Sequence, residues 1–169
     1  MPDPDELRKH LAYEVHYLVL AAVRFTEISG RDGTLYQDSA LLHARNLLEF
    51  TKPGQRPRYG WWIKDVGGQT PQADPTHDRW VEFINSNVSH LGERRLEDLG
   101  WPVPRDDQSL INVSRYVLQR VDSLTSNSRD ASAMVMKQLA ELGLRYLADP
   151  TEGNLAEIAE AIDAPLSGR

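Results

Sequence analysis

The sequence predicts an all-α fold: a bundle of five to six helices in up-and-down order, with a long irregular loop at about residues 51–74. Apolar residues recur every three to four positions in several segments, which is the spacing of one helix face. No segment combines strict apolar–polar alternation with the Val, Ile and Thr content of a strand. Residues 51–74 contain seven Pro and Gly residues, which prevent a long helix there.

The first helix is predicted from about Asp5 to Ser29, and Gly30–Gly33 then reverses the chain into an antiparallel hairpin. Its apolar stripe consists of Leu7, Leu11, Val15, Leu18, Ala22 and Phe25. Glu14 falls inside that stripe, where an unpaired carboxylate would be strongly destabilising. We therefore predict that Glu14 contacts a side chain on another helix.

The second helix contains residues 39–50, a stretch that is apolar on nearly every side. Such a helix is normally buried on nearly every side, so we expect it to be the central helix of the bundle. Ser39, His43 and Asn46 share one flank of this helix, at positions i, i+4 and i+7. A polar group placed there needs a partner from a neighbouring helix.

Leu47 and Glu49 represent two different sides of the second helix. Leu47 is predicted to be fully buried, whereas Glu49 is predicted to pair with Arg45 at an exposed edge. Truncation of Leu47 should therefore cost more stability than truncation of Glu49.

Four further helices are predicted, from about Pro75 to Leu91, Asp107 to Leu124, Ala131 to Ala148 and Asn154 to Ile162. Their inward-facing residues are Trp80, Ile84, Val88 and Leu91, then Leu110, Val113, Val117, Val121 and Leu124, then Val135, Leu139, Leu142 and Tyr146, and finally Leu155, Ile158 and Ile162. Asn87 lies on the core face of the first of these helices, and His90 lies about one turn further on.

Length and composition fit one helical domain over residues 1–169, with a core bundle at about 5–148 and a short C-terminal helix at about 154–162. The chain has 40% hydrophobic and 26% charged residues, as is typical of a soluble globular protein. The acidic N-terminus lacks a signal core, and no apolar run approaches the roughly 20 residues of a membrane span. We therefore expect a cytoplasmic protein that does not contact a membrane. The absence of cysteine excludes disulfides and thiolate chemistry.

The net charge of −6 argues against a polybasic nucleic-acid binder. Only the middle of the chain, residues 51–105, carries more basic than acidic residues, with 8 Lys and Arg against 7 Asp and Glu. If the protein has a local basic surface, we expect residues 51–105 to form it.

The loop at 51–74 interleaves basic and aromatic residues: Lys52, Arg56, Arg58, Tyr59, Trp61, Trp62 and Lys64. Such interleaving can bind single-stranded nucleic acid by charge and stacking. Alternatively, Trp61, Trp62 and Ile63 fold back as a hydrophobic plug over the bundle, because exposed tandem tryptophans are uncommon. A loop of this length in a compact domain is often functional.

Motifs for nucleotide binding, metalloprotease activity and serine hydrolysis are absent, and we predict no cofactor and no metal. The five histidines, His10, His16, His43, His77 and His90, never stand at i+3 or i+4 to one another, as a zinc site on one helix would require.

Interior polarity is the remaining unusual feature, shared by Glu14, His43, Asn46, Asn87 and His90. One interpretation is a buried hydrogen-bond network that fixes helix register. The other is a site between helices, with His43 or His90 as general base or acid and Asn87 as the residue that orients it.

Three blocks resemble a HEPN-like group of small bacterial helical proteins: L-A-Y-E-V-H at Leu11–His16, L-L-H-A-R-N-L-L-E-F at Leu41–Phe50, and F-I-N-S-N-V-S-H-L at Phe83–Leu91. The resemblance covers roughly residues 5–125 and implies a helical bundle. Many HEPN proteins are ribonucleases of toxin–antitoxin or anti-phage systems, so it also implies a role with RNA.

The usual HEPN motif is an Arg followed directly by a polar residue, with a His four to six positions after the Arg. Arg45 and Asn46 begin that pattern, but Phe50 stands where the nearest His would be. The resemblance therefore implies either a composite site of His43, Asn87 and His90 or a non-catalytic member.

Two function hypotheses follow. The first is an RNA-associated HEPN-like protein with weak or absent metal-independent ribonuclease activity, whose RNA-binding residues are Arg45, Asn46, Arg56, Arg58, Trp61 and Trp62. The second is a non-catalytic interaction or regulatory module that docks a protein partner through the Trp61–Trp62 loop. The sequence leaves open whether the chain acts as a monomer or as a homodimer. A basic cleft near His43 or His90 would favour RNA, and an exposed apolar patch at Trp61 would favour a protein partner.

Overall fold

The computed structural model describes residues 4–28, 31–57, 60–88 and 107–163 and confirms the predicted all-α fold. Six helices pack together, and the described residues form no strand. The helices are α1 (Pro4–Glu27), α2 (Arg31–Phe50), α3 (Pro75–Val88), α4 (Asp107–Thr125), α5 (Ala131–Ala148) and α6 (Glu152–Asp163).

The hairpin of α1 and α2 is tighter than the sequence indicates. We predicted a turn over Gly30–Gly33, but α2 already begins at Arg31, so Gly33 lies in its first turn. A Cβ atom on residue 33 would lie 2.8 Å from the carbonyl oxygen of Ile28. Glycine at this position therefore lets the second helix start directly against the end of the first.

The central helix is α1, which corrects the prediction that α2 has this position. Helix α1 packs against α2, α4, α5 and α6, whereas α2 packs against α1, α3 and α4. The predicted apolar arc of α2 is nevertheless buried: Ala40, Leu41, Ala44, Leu47 and Leu48. Leu42 is 47% exposed, and Arg45 and Asn46 are exposed as well. One side of α2 therefore faces solvent, because α5 and α6 pack against α1 instead.

The core is built from the stripes that the sequence predicts. All six apolar residues predicted for α1 are buried, as are Ile84 in α3 and Ile158 in α6. Gly143 marks the closest approach of three helices, because a Cβ atom there would lie 2.9 Å from Leu118 and 3.1 Å from Val15. A larger residue at this position would force α1, α4 and α5 apart.

The irregular segment between α2 and α3 covers part of this core. Its 3₁₀ helix, Ile63–Val66, has both end residues buried, and Trp61 and Trp62 pack half-buried against the core. The indole Nε1 of Trp62 donates to the carbonyl oxygen of Lys52 at 3.1 Å. This packing agrees with the interpretation of the segment as a hydrophobic plug.

Arg120 in α4 holds both ends of the irregular segment, a contact that the sequence analysis did not anticipate. Its guanidinium donates twice to the carbonyl oxygen of Thr51, at 3.2 Å each, and once to that of Gln72 at 3.3 Å. It also forms an ion pair of 3.0 Å with Asp74. Since Thr51 directly follows α2 and Asp74 directly precedes α3, one side chain fixes where the segment begins and ends.

Asp74 receives two further contacts. Its Oδ1 accepts from the backbone N–H of Thr76 at 2.9 Å, as an N-cap residue of α3 does, and its Oδ2 accepts from the hydroxyl of Tyr116 at 2.5 Å. Burial by itself would raise the pKa of Asp74, but these hydrogen bonds and the charge of Arg120 lower it overall. Burial and the hydrogen bond to Asp74 raise the pKa of Tyr116.

None of the described helices combines the length and the apolar character that are needed to cross a membrane.

Candidate functional site

Glu14 in α1 and His43 in α2 form the candidate site. The carboxylate oxygen Oε2 of Glu14 lies 2.7 Å from Nδ1 of His43, and Nδ2 of Asn46 donates to the same oxygen at 3.1 Å. The side chains of Glu14 and His43 are only 17% and 8% exposed. The prediction that Glu14 contacts a side chain on another helix is therefore confirmed.

The antiparallel hairpin is what brings these residues together. Glu14 lies near the middle of α1 and His43 near the middle of α2, so the two helix centres meet at one level. Asn46 follows His43 by three residues and therefore lies on the same flank of α2. A carboxylate in an apolar interface is costly unless it is paired, and this flank supplies both partners.

Two tyrosines border the imidazole of His43. The ring of Tyr17 stacks on it with a centroid distance of 5.7 Å and an interplanar angle of 27°, and Tyr13 meets it edge-on at 5.6 Å. The two tyrosine rings are also 4.5 Å apart. Both tyrosines are partly open to solvent, with exposures of 46% for Tyr13 and 39% for Tyr17. The buried pair therefore lies directly beneath an exposed aromatic surface.

The carboxylate of Glu14 determines which ring nitrogen of His43 can accept a proton. When Nδ1 carries the proton and donates to Glu14, the lone pair of a neutral ring lies on Nε2. Nε2 of His43 has no hydrogen-bond partner among the described residues. An imidazole oriented in this way can accept a proton from a hydroxyl group that reaches Nε2.

An open groove adjoins the site on the side of the hairpin turn. Its volume is about 430 Å³, and its lining includes Tyr17, Ile28, Leu35, Tyr36 and Ser39. Tyr17 belongs both to the groove and to the surroundings of His43. The groove and the Glu14–His43 pair are therefore neighbours that share one aromatic ring.

The composite site predicted from His43, Asn87 and His90 lies only in part within the described residues. His90 lies outside them, and of Asn87 only its place in α3 is described. Arg58 also lies outside the described residues, whereas Arg45 and Asn46 are exposed on α2. The structure thus brings together Glu14, His43 and Asn46. The sequence predicted all three as interior polar residues, which is correct for His43 and largely for Glu14 but wrong for Asn46, whose side chain is exposed.

The basic and aromatic residues of the plug bind one another. Arg56 donates to Asp65 at 3.0 Å, and the ammonium of Lys64 lies 6.0 Å from the ring of Trp62. Trp61 lies against His10 in α1, with ring centroids 6.0 Å apart. The first two contacts lie within the segment and the third joins it to α1, which leaves less of these side chains' surface for a nucleic acid or a protein partner.

His16 and His77 are two further histidines with distinct surroundings. His77 is buried, and its Nε2 lies 3.1 Å from the carbonyl oxygen of Leu48, near the end of α2. Nδ1 of His16 is buried without a hydrogen-bond partner in the described part of the chain, and burial lowers the pKa of this imidazole. His77 has a structural contact, whereas His16 has an unsatisfied nitrogen.

Within the described part of the chain, no three His, Asp or Glu side chains are grouped so that they could hold a metal ion. The only close imidazole–carboxylate contacts there join two residues each, as at Glu14 and His43 or at His77 and Asp78.

Comparison of the chain with protein-family models, with curated proteins and with solved structures finds no match. The resemblance to HEPN-like proteins therefore stays a prediction. An all-α fold is compatible with many activities, so function has to be argued from the site itself.

Proposed function

We propose that this protein binds single-stranded RNA over the α1–α2 hairpin and that His43 promotes slow, metal-independent cleavage of the bound strand. The observation that carries the proposal is the Glu14–His43 pair, with Nδ1 held by the carboxylate and the exposed, adjacent rings of Tyr13 and Tyr17 against the imidazole. Unpaired bases stack on tyrosine rings, and an oriented imidazole near neutrality serves as a general base.

The step assigned to His43 is an intramolecular transesterification of the RNA backbone, in which the phosphorus changes its bond from the 5′-oxygen to the 2′-oxygen. Nε2 takes the proton of a 2′-hydroxyl, the 2′-oxygen attacks the adjacent phosphorus, and the bond from phosphorus to the 5′-oxygen breaks. The 5′-oxygen takes its proton from water, and the products are a 2′,3′-cyclic phosphate and a 5′-hydroxyl end. Because one imidazole acts without a paired acid in this step, we expect a low rate.

The negative net charge of the chain favours base stacking over phosphate contacts as the main source of affinity for RNA. The chain carries a net charge of −6, and the nearest exposed cation on α2 is Arg45, two residues after His43. Binding that rests on many phosphate contacts weakens steeply with salt. We therefore expect weak binding whose salt dependence corresponds to one or two phosphate contacts.

The test is cleavage of a fluorescent single-stranded RNA by the wild-type protein and by His43→Ala, in the presence of EDTA. We expect cyclic-phosphate products from the wild type and a loss of about 10²- to 10⁴-fold in rate for the variant. His10→Ala is the matched control, because His10 is an exposed histidine on α1 that lies against Trp61 rather than Glu14.

Circular dichroism would establish equal folding of the three proteins. Cleavage by His43→Ala at the wild-type rate would disprove the assignment of the base. A wild-type protein that neither cleaves nor binds RNA would disprove the proposed function as a whole.

The second candidate, docking of a protein partner through the Trp61–Trp62 loop, has less support. Both tryptophans are half-buried against the core, and the indole N–H of Trp62 is already donated to Lys52. Residues that anchor a partner are usually exposed before binding and buried after it.

A further inference from the structure

The groove between α1 and α2 has the size of a small-molecule site. Its volume of about 430 Å³ falls within the range of about 300–1,000 Å³ that is common for ligand pockets. Its walls combine apolar side chains, such as Leu35 and Ile28, with three hydroxyl-bearing residues, Tyr17, Tyr36 and Ser39. A few polar groups among apolar walls are typical of sites that fix the orientation of a flat, partly polar ligand.

The position of the groove relative to His43 is set by helix geometry. Ser39 lines the groove and precedes His43 by four residues, so the two are about 6 Å apart along the axis of α2. Tyr17 lines the groove as well and stacks on the imidazole at 5.7 Å. A group bound beside Ser39 would thus lie about one helical turn from His43 along α2.

We propose that this groove binds one unpaired nucleobase of the RNA, stacked on Tyr17, and so places the ribose of that nucleotide beside His43. The proposal rests on the proposed function and specifies its substrate: single-stranded RNA with an accessible base at the cleavage position. Tyr36 and Ser39 would supply hydroxyl groups to the base edge. Stacking is tolerant of base identity because every base has a π-face, so selectivity would come from those hydroxyl groups.

The same features argue against an amphipathic helix as the occupant. A helix docks with apolar residues at i, i+3, i+4 and i+7, and therefore needs a long apolar furrow. Along α2 the groove is followed, one turn after Ser39, by the polar group of His43, Glu14 and Asn46. A single flat ring fits the space before that group, whereas a helix would have to cover the polar residues.

The experiment measures binding rather than cleavage. The probe is a six-nucleotide single-stranded RNA that carries one 2-aminopurine, whose fluorescence falls when the base stacks. An otherwise identical RNA with an abasic site at that position is the second probe. All proteins carry His43→Ala, so that the probe stays intact during the measurement.

Two substitutions on α1 separate stacking from the hydroxyl group of the tyrosine. Tyr17→Leu should weaken binding of the 2-aminopurine probe about 10-fold or more and abolish quenching. Tyr17→Phe keeps the ring and should bind like the parent protein. The abasic probe should bind weakly to the parent, and Tyr17→Leu should weaken it no further.

A third substitution places a charge at the groove. Leu35 is 69% exposed and lines the groove, so Leu35→Asp should weaken binding about 10-fold without unfolding the protein. Met134 in α5 is 60% exposed and lies on a helix that packs on the other side of α1. Met134→Asp adds the same charge away from the groove and should bind like the parent.

The outcomes distinguish this inference from the proposed function. His43-dependent cleavage together with equal binding by Leu35→Asp and Met134→Asp would overturn the inference and leave the proposed function in place. Base-dependent quenching by the parent, without cleavage by the wild-type protein, would keep the base-binding groove and overturn the cleavage step of the proposed function. Failure of the parent protein to bind the probe would overturn both. If an apolar helical peptide binds in a Leu35-dependent way and the RNA does not, the groove is a peptide site and the inference is wrong.

Discussion

Arg120 in α4 and Asp74 at the start of α3 form an ion pair of 3.0 Å across 46 residues of sequence. The guanidinium also donates to the carbonyl oxygens of Thr51 and Gln72. It is 10% exposed, so these acceptors replace most of its water. The irregular segment is therefore anchored by a side chain that belongs to a different part of the chain.

Replacement of this arginine should destabilise the protein and loosen the segment. Arg120→Ala removes the charge that faces Asp74 and leaves the carbonyl oxygen of Thr51 without these donors, so we expect a loss of about 3 kcal/mol. Urea melts would measure the loss, and limited proteolysis within residues 51–74 would detect the loosening. Arg120→Lys should recover only part of the stability, because an ammonium cannot reproduce the planar fork.

Arg145→Ala is the matched control for this experiment. Arg145 pairs with Glu157 at 2.7 Å, but the two side chains are 52% and 50% exposed. An exposed pair contributes at most about 1 kcal/mol. Equal midpoints for the Arg120 and Arg145 variants would contradict the anchoring role of Arg120.

The difference between Glu14 and Arg120 shows what the sequence could and could not predict. Glu14 interrupts an apolar stripe, a local signal that directly indicates a partner on another helix. Arg120 gives no comparable signal: an arginine on an amphipathic helix usually faces water, and its partners lie 46 to 69 residues away. Helical periodicity likewise predicted the six described α-helices, with identical bounds for α5, Ala131–Ala148. It could not predict how helices pack, and so α2 rather than α1 was expected at the centre.

The candidate site shows the same contrast between residues that a local sequence signal predicts and residues that it does not. Its polar residues on α2, His43 and Asn46, were predicted from their shared flank and from the need to satisfy buried polar groups. Tyr13 and Tyr17 were missed, because an exposed tyrosine beside an apolar stripe is common and indicates no particular contact. Their spacing of four residues, on the same face of α1 as one another, is the one signal that could have suggested a paired aromatic surface.

Glu14 and His43 should stabilise one another by a measurable amount. A double-mutant cycle with Glu14→Gln and His43→Gln should give a coupling energy of about 1–2 kcal/mol in urea melts, since both side chains are largely buried. The Arg24–Glu27 pair on α1 serves as the control, with 47% and 48% exposure and a distance of 2.8 Å. Its coupling should be much smaller, because water and salt screen an ion pair between two exposed side chains. A Glu14–His43 coupling no larger than that would mean that the contact contributes little to the fold.

Leu47 and Glu49 provide a test of the packing of α2. Leu47 is fully buried, so Leu47→Ala should cost about 2–5 kcal/mol. Glu49 lies 3.8 Å from Lys52, with both side chains more than 40% exposed, so Glu49→Ala should cost less than about 1 kcal/mol. Both values come from denaturant midpoints of the purified variants. Similar losses for the two substitutions would show that α2 packs less closely against α1 than the structure describes.

His16 should make the protein less stable at mildly acidic pH. Its Nδ1 is buried without a partner, and burial lowers the pKa of the imidazole below its ordinary value of 6.5. As the pH falls through 6.5, the unfolded chain binds a proton at this residue and the folded protein does not. Stability is therefore lost with decreasing pH, by at most about 1.4 kcal/mol per pH unit from this residue, until the folded imidazole is protonated as well.

His16→Leu should remove this contribution, because leucine fills a similar space and has no nitrogen to satisfy. The variant should be at least as stable as the wild type at pH 7.5, since removal of an unsatisfied buried nitrogen offsets the loss of contacts between the imidazole and Tyr17. Its advantage should grow as the pH is lowered to 5.0, because the remaining titratable groups are common to both proteins. Urea melts at half-unit intervals of pH would measure the difference, and His16→Phe should reproduce it. The stability difference between wild type and His16→Leu could instead stay constant over this range. The imidazole would then titrate alike in the folded and unfolded chains, and burial would not lower its pKa in the folded protein.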